Sequence, residues 1–167
     1  MNNQQSTAQA QPTGANAQPA SNPVAQYIEQ SRNEWMTAIS DMNASMTSLP
    51  KLNELINIIY TKRMEAVETY HKINDIILSR NKAYMATFTA MFNAIKLNGY
   101  NGMRFSSDQA IQRQLEVDLA DQKEAVDLLK SHNDFMEETI ETLDDMIYGI
   151  KYKIRVYELI NGINQVR

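Results

Sequence analysis

The sequence predicts an all-α fold built on a long antiparallel helical hairpin, with a short N-terminal helix and a C-terminal heptad helix that mediates oligomerisation. Three observations predict it. Turn chemistry is scarce: five Gly and four Pro in 167 residues, most of them before residue 24 or in one stretch near residue 100. That is too few for the frequent reversals of a β-sandwich or barrel. Pro50 to about Leu97 contains neither Gly nor any further Pro. Towards the C-terminus, apolar residues recur alternately every third and fourth position, the rhythm of a helix packed along one seam.

The elements follow in order. Residues 1–22 are almost wholly Asn, Gln, Ser, Thr, Ala and Pro. Such a stretch buries too little to offset chain entropy, and it reads as a flexible tail. A single helical domain is expected over 23–167. Ser21-Asn22-Pro23 supplies capping side chains and then a proline for the first turn. Val24, Tyr27, Ile28, Trp35, Ile39 and Met42 follow at near-helical spacing, giving a helix over about 23–46. Ser48-Leu49-Pro50 repeats the start signal. The second helix, about 50–97, would be about 70 Å long at 1.5 Å per residue. Asn98-Gly99-Tyr100-Asn101-Gly102 ends it with left-handed positions, and Ser106-Ser107-Asp108 caps a third helix over about 107–163. Ser131-His132-Asn133-Asp134 also resembles a cap and leaves a break near 131–134 open.

The third helix carries the seam: Val126, Leu129, Asn133, Met136, Ile140 and Leu143, then Ile147, Ile150, Ile154, Tyr157 and Asn161. Polar Asn133 and Asn161 on such a seam would fix register and partner number. A second apolar row (Leu128, Phe135, Met146, Val156, Ile160) widens the stripe. Covering it calls for the first helix and for other copies of the chain.

Composition narrows the function classes. There is no cysteine, which removes disulfides, thiolate metal sites and cysteine nucleophiles. No signal-peptide pattern opens the chain, and no run approaches the roughly 18 apolar residues of a membrane span. A cytoplasmic protein (in the host cell if phage-encoded) without a membrane partner is expected. No phosphate loop or nucleophile elbow occurs, so neither an enzyme nor a cofactor is expected. Glu68-x-x-His71 has the spacing of half a di-metal site, and half a site binds no metal.

Charge is striped. Residues 50–104 hold eight basic and four acidic side chains, and residues 105–145 hold twelve acidic and three basic. Lys62, Arg63, Lys72, Arg80, Lys82, Lys96 and Arg104 are interleaved with Tyr60, Tyr70, Tyr84, Phe88, Tyr100 and Phe105. Single-stranded nucleic acid is held by such a combination, phosphates on cations and bases on rings. A solvated helix face and ordinary core tyrosines would give the same pattern. Lys151, Lys153 and Arg155 form a smaller basic group, which also suits the C-terminal end of a helix dipole.

Ile150-Lys151-Tyr152-Lys153-Ile154-Arg155-Val156-Tyr157-Glu158-Leu159-Ile160-Asn161-Gly162 resembles the closing signature of the UvsY-type phage recombination mediators. Phe135-Met136-Glu137-Glu138-Thr139-Ile140-Glu141-Thr142-Leu143 is similar to the segment that precedes it. Val156 and Leu159 stand where that family often carries Trp and Phe. The resemblance implies a helical protein that forms a ring through its C-terminal helices. It would bind single-stranded DNA, loosen a single-strand-binding protein and help load a RecA-like recombinase. On this chain the seam from Val126 to Asn161 would assemble the copies. The cations from Lys62 to Arg104 would meet phosphate, with Lys151, Lys153 and Arg155 in support. The rival expectation is a scaffold protein, such as a virion component or chaperone-like hairpin, with protein partners alone.

Overall fold

The computed structural model describes residues 22–47 and 49–165. The expected N-terminal tail, Asn22 excepted, lies outside them. The described residues are all-α, with four helices in the order α1 (Pro23–Ser45), α2 (Leu52–Asn98), α3 (Asp108–Asp118) and α4 (Ala120–Gln165). α2 and α4 form the long antiparallel hairpin.

Each helix begins and ends for local reasons. Asn22 accepts from the Val24 amide at 3.0 Å, and Pro23 fills the first turn of α1. Pro50 stands in a short 3-10 turn, Leu49–Lys51, so α2 starts at Leu52 rather than at the proline. α2 then runs 47 residues, about 70 Å. It stops at Gly99, whose φ of 78° suits only glycine; a Cβ there would stand 2.6 Å from the Met103 carbonyl oxygen. Tyr100 and Met103 exchange both backbone hydrogen bonds, at 2.8 and 2.9 Å, around Asn101 (φ 48°) and Gly102 (φ 80°). Two successive positive φ values are the Asn-Gly turn geometry of tight hairpins. Ser107 caps α3 by accepting from the Ala110 amide at 3.3 Å.

The break in the last helical stretch is at Leu119, not near 131–134. Helical geometry lapses there (φ −108°, ψ 14°), and the Leu119 side chain turns inward at 4% exposure. The lapse lets Ile111 and Leu115 close on Ile95 of α2, together with half-buried Phe88, Met91, Phe92, Tyr100 and Phe105. α4 is then free to follow its own line. Ser131 does not act as a cap. Its carbonyl and hydroxyl accept from Arg32 at 2.7 and 2.9 Å, and α4 runs through uninterrupted.

The main core joins Leu52, Leu55, Ile59, Ala66, Ile73 and Ile77 of α2 to Val126, Leu129, Met136, Leu143, Ile147 and Ile150 of α4. α1 lies parallel to α4 and closes the groove with Met42 and with half-buried Val24, Trp35, Ala38 and Ile39. Register is read from Arg63 opposite Asp144 and Tyr60 opposite Lys151.

This arrangement corrects the seam's expected role. Val126, Leu129, Met136, Leu143, Ile147 and Ile150 are buried inside one chain, and Ile140 and Ile154 pack half-buried against them. Asn133 is half-buried, its amide oxygen without a partner, and Tyr157 is half exposed. Hydrophobic burial is satisfied soonest by the helix a short loop brings back, so the seam closes on α2, and α1 covers what α2 leaves. Those residues are a core rather than a surface between copies.

Candidate nucleic-acid interface

The seven cations expected along α2 and its loop divide into two groups. Four are held by carboxylates. Lys62 meets Glu65 at 2.6 Å and also lies over the Trp35 ring. Arg63 grips Asp144 through Nε and Nη2, and Asp144 raises the guanidinium's pKa still further above its ordinary value. Lys72 pairs with Glu68 at 2.9 Å, and Lys96 with Asp108 at 2.8 Å. Arg80, Lys82 and Arg104 are exposed, and no ion pair engages them among the described residues. Most of the expected rings are also committed. Tyr70 packs on the main core, while Phe88, Tyr100 and Phe105 pack into the tip cluster and Tyr84 lies against Phe88. The structure therefore does not gather an aromatic and basic track on α2.

It gathers one at the opposite end, on the last turns of α4. Tyr148 is 74% exposed and Tyr152 is 71% exposed. They are four residues apart, with exposed Arg155 three further on, so all three share one helix face. That face points away from Ile147, Ile150 and Ile154, which is why the core leaves these rings in solvent. Lys151 lies beside them. Its ammonium donates to the Tyr60 hydroxyl at 2.9 Å, and that hydrogen bond raises its pKa above the ordinary lysine value. Lys153 reaches towards the Met46 carbonyl at 3.5 Å, and Lys51 is exposed at the start of α2, the same end of the hairpin.

Chemically, the patch offers two flat faces about one helical turn apart, with cations on both sides. It can stack planar groups and neutralise phosphates. The Glu68 and His71 pair, set aside above as half a site, is exposed: Glu68 is spent on Lys72, and His71 stands edge-on to Tyr70.

Sequence reading singled out Lys151, Lys153 and Arg155 as candidates and did not single out Tyr148 and Tyr152, which the structure sets beside them. The signal was present, because 148, 152 and 155 fall on the far side of the helix from the three-and-four seam. No protein family, curated protein or solved structure matches this chain. No described helix is long and apolar enough to cross a membrane.

Proposed function

We propose that this protein binds single-stranded DNA through the end of α4 and acts as an assembling recombination mediator. The observation that carries the reading is the pair of solvent-facing rings, Tyr148 and Tyr152, set among Lys151, Lys153 and Arg155. Bases stack on the rings and phosphates meet the cations, a mode indifferent to sequence. Arg80, Lys82 and Arg104 are too far along the hairpin to join the same short contact.

One protomer offers few contacts, so useful affinity needs several copies on one strand. With the seam closed, the apolar surface left for association includes the end of α4, where Leu159 and Ile160 are 59% and 56% exposed. The further roles, loosening a single-strand-binding protein and loading a RecA-like recombinase, rest on the resemblance of the 135–162 segment. The test is fluorescence anisotropy of a labelled oligonucleotide at low and high salt. Binding that falls steeply with salt is expected, and no binding at low salt would falsify the reading.

A second reading has its own support. Four of the seven cations along α2 and its loop are consumed inside the chain, and residues 105–145 carry twelve acidic side chains. A scaffold hairpin that meets only proteins needs no more than that. It predicts an assembly indifferent to DNA.

A further inference from the structure

The α1–α4 joint contains a histidine with nothing to satisfy it. His132 is 0% exposed, and among the described residues neither Nδ1 nor Nε2 has a hydrogen-bond partner. Its surroundings are rings and one cation. Phe135 stacks on it at 5.9 Å, and Tyr27 of α1 meets it edge-on at 6.1 Å. Arg32 of α1 donates to Ser131, next to His132, and lies 5.3 Å over the Phe135 ring.

Among the described residues no carboxylate acts on His132 to receive a second positive charge. On α1 the groups at hand are Tyr27 and Arg32. On α4, Asp134 is exposed, and Lys130 is exposed and paired with Asp127. At the same level, α2 carries half-buried Tyr70 and exposed His71, Lys72 and Asp75, with Lys72 held by Glu68. Burial therefore pushes His132 below the ordinary imidazole value, and Arg32 adds to the shift.

We propose that this joint is an acid-sensitive clasp: protonation of His132 releases α1 and uncovers the apolar groove between α2 and α4. The direction follows from linkage. A docked His132 resists a proton that the undocked one accepts, so docking is strongest above the ordinary value of 6.5. It weakens as pH falls from there to the depressed docked value, and then levels off. Within that window the docking equilibrium falls by up to about tenfold per pH unit. Other parts of the fold are less sensitive, since the α2–α4 core beneath is apolar. The inference is independent of the nucleic-acid reading.

The chain carries its own reporters: one tryptophan, Trp35, on α1, and only two histidines. Two measurements on the full chain test the clasp. Imidazole resonances followed by NMR should show His132 titrating below the ordinary imidazole value of 6.5. Trp35 emission should shift to the red as His132 titrates, and His132→Phe should hold Trp35 in its docked state over the same range. The clasp is overturned if His132 titrates at or above 6.5, or if the Trp35 transition persists unchanged in His132→Phe. The wild-type titration decides the matter even if that variant does not fold.

Discussion

Arg63 and Asp144 are locked by two parallel hydrogen bonds of 2.6 and 3.0 Å, the one ion pair among the described residues that ties α2 to α4. The two side chains keep 32% and 41% of their surface in water. Solvent screening discounts the pair's Coulomb energy, but its fork geometry fixes the register of two long helices. Arg63→Ala should cost about 1–2 kcal/mol in chemical denaturation. Arg63→Met with Asp144→Met should recover most of it, because no charge is then left without a partner.

Ile147 distinguishes a closed seam from an open one. It is 4% exposed and belongs to the core of a single chain. Ile147→Asp should therefore lose helicity and unfold, at a cost of several kcal/mol. Circular dichroism combined with light scattering reads both outcomes. A variant that stayed helical and merely changed mass would restore the seam as a surface between copies.

The rings at the end of α4 should matter for binding and not for folding. Tyr148→Ala and Tyr152→Ala each remove a stacking face worth about 1–3 kcal/mol, so single-strand affinity should drop at least about fivefold by anisotropy. Their exposure leaves the melting temperature nearly unchanged. Arg80→Ala with Lys82→Ala should have a much smaller effect, and the reverse ranking would move the interface back to α2.

The tip loop separates two glycines that look alike in sequence. Gly99→Ala meets both a positive φ and the Met103 carbonyl at 2.6 Å, and should destabilise by about 2–3 kcal/mol. Gly102→Ala has a positive φ but nothing within 4 Å, and should cost about 1 kcal/mol. Thermal melts of the two variants test the order.

The fold was legible because it is written in spacing. The three-and-four run from Val126 to Ile154, the absence of breakers from Lys51 to Asn98 and the Asn22-Pro23 start each carry one local cause into one element. The break was misplaced because Ser131 and Asn133 have capping side chains, while Leu119, where helical geometry lapses, has none; only packing of Ile111 and Leu115 on Ile95 demands a lapse there. The candidate interface was only partly legible. Cations can be counted in a sequence, but whether Lys62, Arg63, Lys72 or Lys96 meets a carboxylate depends on register and rotamer. The seam was read in the right place with the wrong partner, since periodicity shows that a stripe is buried and not which helix buries it.

The Tyr100–Met103 reversal also sets an order of events. Only nine residues separate α2 from α3, so bringing those two strands of helix together sacrifices little chain entropy. α1, by contrast, finds Ser131 across 99 residues of sequence. Folding should nucleate at the tip and zip towards the termini, with α1 arriving last and fraying first. Backbone amides of α1 should therefore exchange with deuterium well before those around Ile73 and Met136.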